Sequence, residues 1–185
     1  MPKIDLGDLV TNLNREIIVQ GLTQIASGQS IIDPEWQRST GQTTIGHLLY
    51  FQKLRHYVLA LDINAGIRDY LDDLVMTLVV LGMSRLLADK SIFETSWLLN
   101  VFYISIGVTV YHIILEILRK YHREPPRVFQ DMLETACIMV LSMYVNENHL
   151  SGFSWVSRAL MTLGSVVIYH YVVGPISNPE APVTK

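Results

Sequence analysis

The run from Ser96 to Leu115, SWLLNVFYISIGVTVYHIIL, contains twenty residues and no Asp, Glu, Lys or Arg. A helix of that length rises about 30 Å, the thickness of the hydrocarbon core of a bilayer. One such helix can be hidden in a soluble core. Three further apolar stretches make that harder: Leu74–Leu87, Met132–Val145 and Ala159–Ile176. The last, with eighteen residues, comes close alone. The other two reach interfacial length only with their flanks, Asp69–Asp73 and Phe129–Glu134.

Composition agrees. Half of the 185 residues are hydrophobic and 17% are charged, against about 25% charged in ordinary soluble domains. The shortfall is uneven, because the first third of the chain is polar enough for a soluble protein. The expected fold is all-α: an integral membrane protein of about four transmembrane helices preceded by two amphipathic helices. The expected organisation is an N-terminal amphipathic region at 1–67 on the inner side. A transmembrane domain at 68–176 follows, with spans at about 69–87, 96–116, 130–146 and 157–176. A short tail occupies 177–185.

The N-terminal region supports this division. Leu6, Leu9, Leu13, Ile17, Leu22 and Ile25 recur at helical spacing, and Gly28 is the natural stop. Gln29–Gly46 is polar and rich in turn formers, and reads as a loop or short capped turn. His47–Leu61 carries Leu48, Phe51, Leu54, Val58 and Leu61 on one helical face, and RDYLDD at 68–73 forms a charged collar. The start MPKIDLGDLV has neither a basic n-region nor an apolar h-region, so an internal segment is expected to carry the chain into the membrane.

Charge sets the orientation. RKYHREPPR at 119–127 lies between the second and third spans, whereas NENHLSGFS between the third and fourth has no Lys or Arg. Basic loops stay on the cytoplasmic or equivalent side, which places both termini there. Arg119, Lys120, Arg123 and Arg127 are then the expected contacts to lipid headgroups or a partner. Arg85, Trp97, Trp155 and Arg158 fall at span ends as interfacial anchors. Glu124, Asp131 and the Pro125–Pro126 pair argue against nucleic acid as the partner of this loop.

Catalytic signals are sparse. No phosphate-binding glycine loop, zinc-binding HExxH or GxSxG elbow occurs. The single Cys137 lies in an apolar run and reads as a small buried hydrophobe. His112 and His170 each follow a tyrosine near a span end. They fit an aromatic belt, with haem ligation between them as the sharper alternative. Asp69, Asp72 and Asp73 share a helical face and would be metal ligands only if they were not simply the collar.

The expectation is therefore a non-catalytic membrane subunit without cofactor, embedded in the lipid bilayer. It would anchor or scaffold a larger assembly, such as a respiratory or photosynthetic complex or a virion inner membrane. Protein partners would bind residues 1–73 and the 119–127 loop. The alternatives are a small oligomeric channel or carrier, with Thr77, Ser84, Thr109 and Ser165 as its polar stripe, and a haem- or lipid-handling membrane enzyme.

Overall fold

The computed structural model describes residues 6–121, 124–147 and 153–177, and among these every regular element is helical. Helix α1 runs Leu6–Ala26 and α2 runs Pro34–Leu49. A π turn at Tyr50–Leu54 joins α2 to the short α3, Arg55–Leu59. The long helices α4, Ala65–Leu87, α5, Thr95–Tyr121, and α6, Arg127–Glu147, follow. Helix α7, Phe153–Ile168, continues through a second π turn, Tyr169–Val173, into α8, Gly174–Ser177.

Local chemistry sets the ends. Gly28 adopts φ 71°, a left-handed conformation that a glycine enters without steric cost, and stops α1. Asn64 caps α4 by accepting a hydrogen bond from the Gly66 amide at 2.8 Å. The expected loop at Gln29–Gly46 is mostly helix. Asp33 Oδ1 accepts from the Glu35 amide at 2.9 Å, and Pro34 occupies the first helical position, where its missing N–H costs nothing. Thr43 and Thr44 then donate to the carbonyls of Ser39 and Thr40. These hydroxyls satisfy themselves within the helix, so a polar stretch that looked like a turn remains helical.

The long helices form a closed ring. Helix α2 packs on α4, α4 on α5, α5 on α6, α6 on α7 and α7 on α1, and a lighter α1–α2 contact completes the circuit. The ring thus consists of three antiparallel hairpins: α1–α2, α4–α5 and α6–α7. Small residues bring neighbouring hairpins close. A Cβ on Gly46 would stand 2.8 Å from the Val80 Cα, and one on Gly107 would stand 3.0 Å from the Ile138 Cα. Leu9, Tyr50 and Phe51 form a buried cluster where α1 and the first π turn meet α4.

Two helical stretches, Thr95–Tyr121 and Val156–Val173, are long and apolar enough to cross a membrane. Helices α4 and α6 have the length, but each carries several charged residues. The N-terminal helices are not set apart from the rest, since α1 and α2 run beside α7 and α4 as members of the ring.

Candidate functional site

Each hairpin carries one carboxylate on its first helix and one histidine on its second, joined to each other. Glu16 Oε2 lies 3.0 Å from His47 Nε2, Asp73 Oδ2 lies 2.8 Å from His112 Nε2, and Asp131 Oδ2 lies 2.7 Å from His170 Nε2. Arg15 adds an ion pair from α1 to the other oxygen of Asp131 at 2.9 Å, linking the first hairpin to the third.

This order reflects an internal repeat. A shift of 58 residues carries Asp73 to Asp131 and His112 to His170 (131 − 73 and 170 − 112). Without a gap, the same shift carries Thr77 to Thr135, Ser96-Trp97 to Ser154-Trp155, Val108 to Val166 and Tyr111 to Tyr169. Val108, Val166, Tyr111 and Tyr169 are all buried. The first hairpin has a shorter connection, yet TIGH at 44–47 stands where TVYH at 109–112 and VIYH at 167–170 stand. The packing repeats as well. The residue seven positions after each carboxylate faces a small residue of the preceding hairpin in the ring. These pairs are Val80 with Gly46, Ile138 with Gly107, and Thr23 with Ser165, whose oxygens are 3.3 Å apart.

Inside the ring lies a cavity of about 300 Å³. The repeat lines it in layers. Three positions after the carboxylates come Val19, Met76 and Glu134, and one residue later Gln20, Thr77 and Thr135. Arg15, Glu16, His47 and Asp131 sit at its edge, while Val80, Leu81, Ile104, Ile138 and Val166 form apolar wall. The edge charges are paired. His47 Nδ1 lies 3.0 Å from the Thr43 carbonyl, so both of its nitrogens face acceptors, an arrangement that favours the protonated ring. Burial opposes that charge, but the hydrogen bond to Glu16 and the Glu16 charge outweigh it, and the His47 pKa lies above the ordinary histidine value. Burial likewise opposes the Arg15 charge, which Asp131 and Glu134 sustain.

A smaller groove of about 240 Å³ lies outside the α4–α5 hairpin, lined by Asn64, Tyr70, Thr109, His112 and Glu116 among others. The Tyr70 hydroxyl lies 3.2 Å from Thr109 Oγ1, and the Tyr70 ring meets His112 edge-on.

The residues singled out from sequence fare differently. His112 and His170 do not offer free Nε2 atoms to a shared haem, since each Nε2 is held by its own aspartate. Asp69, Asp72 and Asp73 do not converge. Asp72 accepts from Tyr50 Oη and, at 3.2 Å, from Arg55 Nε, while Asp73 turns to His112. Among the described residues no three His, Cys, Asp or Glu stand as a metal site. Arg119 bonds Glu124 at 3.1 Å, Lys120 lies over the Tyr121 ring, and Arg127 is exposed at the start of α6. Arg123 lies outside the described residues. Arg85 pairs with Glu94 and donates to the Ser91 carbonyl at 3.1 Å, fastening the α4–α5 turn. Trp97 is half-buried and Arg158 exposed near the same end of the ring, and Trp155 belongs to the first turn of α7.

Of the polar stripe, Thr77 lines the cavity, whereas Thr109 and Ser165 bond the carbonyls of Ser105 and Met161. Glu16, His47, Asp131 and Glu134 were missed as site residues. The signal that would have found most of them is the repeated SW and YH spacing.

Fold and site together define a three-hairpin helical ring around a partly polar chamber. Compared with protein-family models, curated proteins and solved structures, the chain matches none.

Proposed function

We propose that this chain is a multi-spanning membrane protein, with α4–α7 in the bilayer, that anchors or scaffolds a larger membrane-associated assembly. The observation that carries this is the divided exterior of the ring. On α5 and α7 the outward side chains are apolar and open: Phe102 is 58% exposed, Ile113 55% and Leu160 65%. On the first half of α2 they are Glu35, Gln37, Arg38 and Ser39, all exposed.

Lipid suits the first surface, but it cannot solvate the second. Helix α2 and the π turn and α3 that follow it run along α4, from the contact of Gly46 with Val80 to that of Arg55 with Asp72, so the polar first half of α2 lies beyond Val80, toward the C-terminal end of α4. A protein partner with polar groups of its own can cover α2. A respiratory, photosynthetic or virion inner-membrane assembly would supply such a partner. Arg68, Arg119, Lys120 and Arg127 fall at the end of the ring where α4 and α6 begin, which is the cytoplasmic-equivalent side by the positive-inside rule.

The test is purification of the native protein in gentle detergent, with mass spectrometry of the co-purifying proteins. Cross-linking from Gln37→Cys and Gly41→Cys in a Cys137→Ser background accompanies it. Both positions are exposed, and a side chain at Gly41 would enter open space. A stoichiometric partner cross-linked to α2 supports the reading. A lone small oligomer sinks it. The chamber favours a second reading as a small carrier, and solute flux in proteoliposomes tests that separately.

A further inference from the structure

One residue breaks the repeat inside the chamber. The position three residues after each paired carboxylate faces the cavity in every hairpin. It is Val19 in the first, Met76 in the second and Glu134 in the third. Every other charge on the lining has a partner: Glu16 with His47, and Asp131 with Arg15. No hydrogen bond or ion pair reaches the Glu134 carboxylate from any described residue. An interior carboxylate without a bonding partner is costly. The ring needs none at this position, since valine and methionine serve in the equivalent places. Glu134 adds to the field that keeps Arg15 charged, but no bond from a described residue holds its carboxyl group.

We propose that the chamber is a binding site for a small organic cation, a primary alkylammonium, with Glu134 as its counter-ion. Three features define the ligand. Two of the three carboxyl groups on the lining already have bonded partners, Glu16 with His47 and Asp131 with Arg15, and Glu134 is the one left to meet a ligand. Thr77, Thr135 and Gln20 surround the level of Glu134 with oxygen acceptors for the remaining N–H donors of an ammonium group. Val80, Leu81, Ile104 and Ile138 supply apolar wall, which suits a short hydrocarbon tail and cannot replace the water shell of a metal ion. A volume of about 300 Å³ is at the small end of ligand pockets, so the tail is a few carbons long. The chamber lies within the ring whatever covers the exterior, so this inference does not rest on the scaffold reading.

The experiment uses the full chain in detergent, with n-butylammonium, 1-butanol and sodium as probes, read by isothermal calorimetry and thermal shift. The expected result is saturable binding of butylammonium, a rise in Tm that follows it, and no saturable response to butanol or sodium. Glu134→Gln is expected to weaken butylammonium binding at least tenfold, and Glu134→Asp to retain most of it. Glu134→Met, which copies the second hairpin, is expected to fold and to bind none. Equal binding by wild type and Glu134→Gln overturns the proposal, as does equal saturable binding of butanol. A saturable response to sodium with none to butylammonium overturns it in favour of a metal ion. If Glu134→Gln fails to fold, Glu134→Met and Thr135→Val decide. Unchanged affinity in whichever of them folds overturns it.

Discussion

At the scale of the residue, the chain keeps charge inside by pairing it, and the pairs make specific demands on pH. The Thr43 carbonyl and Glu16 both face His47 as acceptors, and its folded pKa is raised above the ordinary value near 6.5. A raised pKa means the folded state binds the proton more tightly than the unfolded one. The stabilisation is therefore complete below about pH 6.5 and is lost as pH rises through the folded pKa. Thermal unfolding in detergent should show Tm falling over that window. His47→Ala should be destabilised by about 2 kcal/mol at low pH, leaving Glu16 without its buried partner, and should lose this part of the slope. An identical slope in the variant would mean that another group carries it. Tyr50 makes a related case. Its hydroxyl is fully buried and donates to Asp72, and burial followed by that carboxylate pushes its pKa well above the usual tyrosine range. Tyr50→Phe should cost about 1–2 kcal/mol by chemical denaturation, since Asp72 loses a donor while the ring keeps its place.

At the scale of the element, glycines at two positions have opposite roles. Gly107 sits where α5 crosses α6, with the space of its missing Cβ 3.0 Å from the Ile138 Cα and 3.1 Å from the Cys137 carbonyl. Gly82 in α4 has nothing within 4 Å. Gly107→Ala should therefore destabilise by about 1–3 kcal/mol as backbones are forced apart, and Gly82→Ala should stabilise by about 0.5–1 kcal/mol through helix propensity. Equal effects would mean that α5 and α6 do not cross at Gly107. Helix existence was largely legible in the sequence, because apolar periodicity and uninterrupted apolar runs are local signals. The residues of α2 were not. Thr40, Thr43 and Thr44 have turn-like composition, and only the Asp33–Pro34 cap and the buried Gly46–His47 step show that the stretch is helical. The π turns were illegible too, since Tyr50–Leu54 and Tyr169–Val173 keep an apolar pattern while adding a residue to the turn.

At the scale of the whole molecule, ring closure is the property that sequence patterns along single helices cannot report. Position along each apolar stretch was legible, and it placed Asp73, Asp131, His112 and His170 toward one end. Which of them meet depends on the helix order around the ring. The 58-residue repeat is the feature that carries that order, because two copies of one hairpin tend to pack alike, and a third, divergent copy closes the circle. A row of three hairpins would leave two outer helices, each with one flank unpacked. A ring leaves none, and α1 meets α7 through Thr23 and Ser165, whose Oγ atoms are 3.3 Å apart.

That contact gives a direct test. With Cys137→Ser removing the single native thiol, Thr23→Cys and Ser165→Cys replace two oxygens 3.3 Å apart by sulfurs that bond at roughly 2.04 Å after a small approach. A protease site inserted in the 29–33 connection then separates α1 from the rest of the chain. Under oxidising conditions the two fragments should migrate as one species until reduced. The control pair Thr23→Cys with Leu98→Cys, on the outward face of α5, should separate at once. If the Thr23 and Ser165 pair also separates, α1 does not lie against α7. The ring is then open, and Arg15 cannot reach Asp131 to complete the wall of the chamber.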